Sequence, residues 1–309
     1  MLHKEKEAPL VGSESKKNLI LIASLVLIWG LCWPIYKVAL AYTPPLLFAG
    51  MRTFFGGLLV TLVILKQWKK IKWRENWMIY CISAFFNTFL FYGLQSIGLL
   101  FMPGGLFAVL VYFQPVLIGL FGWMWLGERM NSVKMGGLLI GFLGVAAVSA
   151  NSVTGDISLI GVVMALLTGI SWALGVVYVK KVGNKVDSLW LVAMQCVIGG
   201  FFLMVLGIGL EEMSSIVWNG PFLFGLAFGS ILGVPAAFLI YYKLVNQGEA
   251  SKVASTTFLV PLLSVLIGTV FLGEPFSYSL CLGLFLIVFS IYFVNRPVKK
   301  SEKDAMHHV

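Results

Sequence analysis

Two cations stand inside otherwise apolar stretches of this 309-residue chain: Lys37, eight positions after Trp29-Gly30, and Arg52. A charge at membrane depth is costly and turns toward a partner or a watery cavity, so each is a candidate group for a carboxylate or phosphate. The structural alternative is that the side chain snorkels to headgroups or bonds backbone carbonyls. Lys37 falls about 29 Å along its helix and Arg52 about 9 Å into the next one, near the same face. Glu128, Lys180 and Glu274 each close an apolar stretch. The remaining candidates are polar and aromatic residues at mid-stretch: Trp29, Trp33, Asn87, Tyr92, Gln95, Tyr112, Gln114, Trp172, Tyr178, Gln195, Thr256 and Thr257. In lipid a buried amide or hydroxyl needs a partner, so these face the bundle interior and bond either a neighbouring helix or a ligand. Aromatic walls, a few amides and an outer cation suit an amino acid, whose carboxylate meets the positive group.

Catalytic chemistry finds little support. The three histidines, His3, His307 and His308, lie in the tails, and no Asp or Glu falls mid-stretch. A membrane-embedded enzyme needs a nucleophile, an acid–base pair or a metal cluster, and no such set is grouped here. No cofactor is expected. A proton relay has no carrier unless Glu128 or Glu274 serves. Cys32, Cys81, Cys196 and Cys281 all lie in apolar segments and read as small packing residues.

The elements that must position these groups are membrane helices. Hydrophobic residues make up 59% of the chain and charged ones 11%, with a mean hydropathy of +0.94, far outside the range of water-soluble domains. The net charge of +9 does not point to nucleic acid, because the cations sit in short loops between apolar spans. Ten spans are expected at 18–40, 46–65, 77–100, 103–126, 133–150, 158–179, 188–209, 221–245, 253–272 and 277–294. All Lys and Arg except Lys37 and Arg52 fall in the N-terminal tail, in every second loop and in the C-terminal tail, which predicts both termini in the cytoplasm. The chain then divides into a tail at 1–17, a five-span half at 18–150, a second at 158–294 and a tail at 295–309. The first span is expected to be retained rather than cleaved as a signal peptide. No loop is long enough for a soluble signalling or scaffolding domain.

The halves are related. Phe113–Glu128 aligns without gaps to Leu259–Glu274 with seven identities in 16 positions, including Pro115/Pro261 and Leu126-Gly127-Glu128/Leu272-Gly273-Glu274. Trp29, Leu31 and Lys37 echo Trp172, Leu174 and Lys180. Five spans per half is odd, so the second copy enters the membrane from the opposite side. Inversion predicts two gates: Lys37 with Glu274 at one face and Lys180 with Glu128 at the other, made alternately. Reversing both charges of one pair should then restore transport lost in the single reversals. Pro115 and Pro261 are expected to interrupt their helices mid-span as hinges or fixed kinks, as are Pro34 and Pro235. Gly136, Gly137, Gly141 and Gly144 in span five predict close helix packing.

With Trp29-Gly30, Lys37, Arg52 and both Pro-to-Leu-Gly-Glu segments in this order over residues 18–295, the chain resembles the drug/metabolite transporter superfamily, specifically its EamA-type members. The resemblance implies an all-α membrane protein of ten transmembrane helices built as two inverted five-helix repeats. Spans one, three, four, six and nine would surround a central cavity, with five and ten peripheral. It also implies secondary transport of small metabolites, often amino-acid export, across the bacterial cytoplasmic membrane. The implied partners are a small-molecule substrate and the lipid bilayer, with monomer or homodimer open. Trp33-Pro34 departs from the small or slender residues more usual there. A multidrug or cationic-compound exporter is the alternative within the class, which the lack of a mid-span acid disfavours.

Overall fold

The computed structural model describes residues 13–98, 101, 107, 110–149, 158–272 and 278–295, with the side chains of Trp33 and Lys37 among those outside the description. Among the described residues the chain is helical, with no strand. The helices are α1 (Ser13–Ala39), α2 (Pro45–Ile64), α3 (Trp73–Gly98), α4 (Gln114–Leu126) and α5 (Ser132–Ser149) in the first half. The second half holds α6 (Leu159–Val182), α7 (Ser188–Leu210), α8 (Gly220–Gln247), α9 in two pieces (Ala250–Thr256 and Leu259–Leu272) and α10 (Tyr278–Asn295). Among the described residues, six are long and apolar enough to cross a membrane.

Local chemistry fixes the ends. Pro44-Pro45 starts α2, where the missing N–H costs nothing. Asp187 accepts from the backbone N–H groups of Leu189 (3.0 Å) and Trp190 (3.2 Å) to start α7, and Asn219 accepts from Phe222 N (3.0 Å) to start α8. Gly127, at φ +67°, ends α4 in the left-handed region, and the N–H groups of Gly127 and Glu128 both converge on the Gly122 carbonyl.

The pattern of helix contacts repeats when each helix is exchanged for the one five places on. The equivalent pairs α2/α7 and α5/α10 pack on one another. The contact of α1 with α8 is matched by α6 with α3, and that of α4 with α6 by α9 with α1. Without a hydrophobic drive in lipid, close approach of small residues supplies the cohesion. A Cβ on Gly57 of α2 would lie 2.6 Å from the Val197 backbone N, and one on Gly200 of α7 would lie 2.5 Å from Phe54 N. Across α5/α10, a Cβ on Gly141 would lie 2.4 Å from Ser290 Oγ. Gly136, grouped with it in the sequence reading, faces nothing within 4 Å and takes no part.

Two departures from regular helix are also symmetric. A π-helical segment interrupts α3 at Phe85–Leu90 and α8 at Gly229–Ala236. Spans four and nine break at Tyr112–Phe113 and Thr257–Phe258. The prolines are therefore not mid-helix kinks: Pro115 occupies the first turn of α4, and Pro261 is the third residue of the second piece of α9. A ring without an N–H is tolerated in a first turn, so the break falls ahead of each proline.

Candidate functional site

The helices of both halves meet around an aromatic centre. Trp29 of α1 and Trp172 of α6, equivalent in the duplication, meet edge to face with ring centroids 5.7 Å apart. Phe91 approaches Trp172 at 4.7 Å, and Tyr241 lies 5.4 Å from Trp29 and 5.7 Å from Trp172. Against this cluster opens a cavity of about 100 Å³. Its wall holds Trp29, Tyr92, Gln95, Tyr112, Gln114 and Trp172 from the sequence candidates. It also holds Arg52, which the sequence leaves open between an anion site and a structural cation, and Cys32, Tyr36, Phe91, Val111 and Gly233. Of these five, Cys32 and Tyr36 were legible in principle: they stand three and seven positions after Trp29, on one helical face.

Arg52 is buried in the bundle rather than reaching for headgroups. Its Cζ sits 4.3 Å from the Tyr36 ring centroid, 4.6 Å from that of Tyr92 and 5.4 Å from that of Phe48. Among the described residues no carboxylate pairs with it. A cation near the bilayer centre costs roughly 2.5–3.5 kcal/mol on the insertion scale. Ring contacts contribute about 0.5–2 kcal/mol each, so three of them offset that cost without a counterion. The charge is held but not neutralised.

The other candidates are placed elsewhere. Asn87, in the π segment of α3, is fully buried against α6, where a Cβ on Gly175 would lie 2.1 Å from its Oδ1. Neither of its amide atoms has a partner among the described residues. Gln195 accepts from the Tyr242 hydroxyl at 3.1 Å, between α7 and α8. Thr256 and Thr257 donate to the carbonyls of Val253 and Ala254, both at 2.7 Å, stabilising the break in α9 rather than facing the cavity. Tyr178 packs half-buried against the main core. The side chains of Trp33 and Lys37, and Glu274, lie outside the described residues.

At the end of the bundle that carries the cationic loops, one carboxylate joins three helices. Glu128, after α4, accepts from Lys180 Nζ of α6 at 2.8 Å and from Ala250 N at 2.6 Å, and its other oxygen takes the Ser251 hydroxyl at 2.7 Å. Glu128 is thus both an ion-pair partner and the cap of α9. Lys180 also donates to the Gly248 carbonyl, and Lys134 of α5 pairs with Glu249, so the α8–α9 turn is clamped from α4, α5 and α6. Burial pushes the Glu128 carboxyl up, but Lys180, the Ser251 hydroxyl and the Ala250 N–H outweigh it and hold the group below the usual carboxylate range. At the opposite end, the oxygens of Glu211 accept from Leu46 N (2.9 Å) and Leu47 N (2.8 Å), capping α2 across the structure.

Two like halves of membrane helices packed about a central cavity are the architecture of a carrier. The chain belongs to the EamA-like transporter family, whose model matches residues 16–150 and 159–296, one match per half. It is 50% identical over 290 residues to a Bacillus subtilis (strain 168) protein named Uncharacterized transporter YvbV, covering 94% of this chain and 95% of that one. It is 25% identical over 289 residues to the Probable amino-acid metabolite efflux pump of Escherichia coli (strain K12), covering 90% and 94%. A crystal structure at 19% identity superposes with a TM-score of 0.79 over 91% of this chain and 96% of the other, a likeness of fold.

Proposed function

We propose that the protein is a secondary transporter that exports amino acids or related small amphipathic metabolites across the cytoplasmic membrane by alternating access. The observation that carries this reading is a cavity at the crossing of two related halves, with the bundle bolted on one side by Glu128 and Lys180. Such a bolt, released at one end and re-formed at the other, exposes one central site to each side in turn. Lys37 and Glu274 are the counterpart pair for the opposite face. The bias of cationic loops supports a cytoplasmic position for the Glu128–Lys180 end. The efflux relative supports an amino-acid cargo.

A cationic-drug exporter is the weaker reading, because the described wall contains a guanidinium and no carboxylate. The test is purified protein in liposomes with a panel of radiolabelled amino acids, loaded with unlabelled compound to drive counterflow, with and without a pH gradient. Accumulation above protein-free vesicles for at least one amino acid is expected. Accumulation of none, alongside turnover of a lipid, would replace the carrier with an enzyme.

A further inference from the structure

We propose that Arg52 and Gln114 form a recognition site for a zwitterionic α-amino acid group, Arg52 taking the carboxylate and Gln114 the ammonium. This rests on the carrier reading and specifies what its cavity selects. Arg52 lines the cavity as a buried cation with no carboxylate partner among the described residues. The rings of Tyr36, Phe48 and Tyr92 stabilise its charge and the Tyr36 hydroxyl also hydrogen-bonds the guanidinium, while its Nε has no acceptor among the described residues. A planar fork held by stacking is preorganised for a carboxylate, which it meets with two parallel bonds. The backbone of α8 is cut to fit this arrangement. A Cβ on Gly233 would lie 2.0 Å from Tyr36 Oη, and one on Gly229 would lie 3.2 Å from Arg52 Cδ, so both glycines of the π segment leave room for the caged cation.

Gln114 supplies the complementary half. It lines the same cavity, is buried, and its amide oxygen has no donor. An unpartnered acceptor is costly to bury and is what an ammonium requires. The same cavity is lined by Trp29, Phe91 and Trp172, which suits an apolar side chain. A compound with both charges and an apolar body satisfies every one of these surfaces, whereas an amine alone leaves Arg52 unpaired.

Four matched compounds separate the groups: leucine, 4-methylpentanoate, leucinamide and 3-methylbutylamine. Their effect on the unfolding temperature of the purified protein in detergent gives apparent affinities. Leucine should bind tightest, 4-methylpentanoate next, and the two compounds lacking a carboxylate at least about tenfold more weakly than leucine. Arg52→Gln should abolish the preference for the acids, and Arg52→Lys should keep it in weaker form, which a change of folding alone would not do. Gln114→Leu should remove only the advantage of leucine over 4-methylpentanoate. The proposal is overturned if leucinamide or 3-methylbutylamine stabilises the protein as well as the acids, or if none of the four does. Counterflow with the same compounds tells the two failures apart. Movement of the amine or amide without the acids leaves the carrier standing and removes the site; movement of no compound, across the wider amino-acid panel as well, removes both.

Discussion

Replacing Glu128 by Gln removes one charge and almost no volume from the clamp on the α8–α9 turn. The wild-type carboxylate holds Lys180, Ala250 N and the Ser251 hydroxyl at 2.6–2.8 Å, with its side chain 5% exposed and that of Lys180 20% exposed. Hydrogen bonds to a charged group contribute about 1.5–3 kcal/mol against about 0.5–1.5 for neutral ones, so three such bonds each lose roughly 1 kcal/mol. The amide nitrogen also sets a donor against a donor at Lys180 or Ser251. Allowing for screening at Lys180, the closed arrangement of this end loses about 2–4 kcal/mol, or about 30-fold to several-hundred-fold in population. Cys32, buried in the cavity wall, is a built-in reporter. A membrane-impermeant maleimide, applied from the side of the cationic loops, should label Cys32 faster in Glu128→Gln by about that factor if opening is fast relative to reaction. Cys32→Ser supplies the background from Cys81, Cys196 and Cys281. A labelling rate within about twofold of the wild type would show that Glu128 does not bolt this end, and the gating argument would fail with it.

Charge exchange is a weaker test than the sequence alone suggests, for a reason visible in the same contacts. Glu128→Lys with Lys180→Glu rebuilds an ion pair but puts a donor-only group against the N–H groups of Ala250 and Ser251. The double reversal should therefore recover part of the transport lost in Glu128→Lys, and less of that lost in Lys180→Glu, which still keeps the Glu128 carboxylate on those N–H groups. The clamp should also be insensitive to protonation. Its carboxyl lies below the usual range, so its contribution is present above the unfolded value and lost only as the pH falls through the lower folded value. Cys32 labelling, corrected for thiolate fraction, should be flat from about pH 5 to 8 and rise only in stronger acid; a rise centred near pH 6 would contradict this. Gly233→Ala places a methyl group against the Tyr36 hydroxyl and should lower leucine affinity, with Tyr36→Phe in the same protein restoring it in a binding assay. Glu211→Gln weakens the cap on α2 and should cost about 1 kcal/mol, read as a lower unfolding temperature with counterflow rates preserved.

Much of the architecture was legible because the bilayer enforces it. Several expected spans match observed helices within a few residues, as 188–209 does Ser188–Leu210 and 133–150 does Ser132–Ser149, whereas 103–126 breaks at Tyr112–Phe113 ahead of Gln114–Leu126. The contact of Lys180 with Glu128 was reachable from the repeat, since both residues are fixed to helix ends by apolar runs and loop positions. The site was less legible. Arg52 is ambiguous in the sequence because its depth is set there but its direction is not; the rings of Tyr36, Phe48 and Tyr92 decide that it turns inward. Thr256 and Thr257 looked like ligands and bond their own backbone instead, as hydroxyls beside a helix break readily do.

By itself the sequence determined that the chain lies in a membrane, that it is two copies of a five-helix unit, and which loops carry charge. Those properties are local: lipid demands internally bonded apolar helices, and duplication leaves its trace residue by residue. Only the tertiary structure decided that Trp29 meets Trp172, that Glu128 caps a helix of the other half, and that Arg52 faces a cavity. These depend on the rotation of each helix about its own axis. In a segment apolar on every face no periodic pattern specifies that rotation; it is fixed by where glycines let backbones touch.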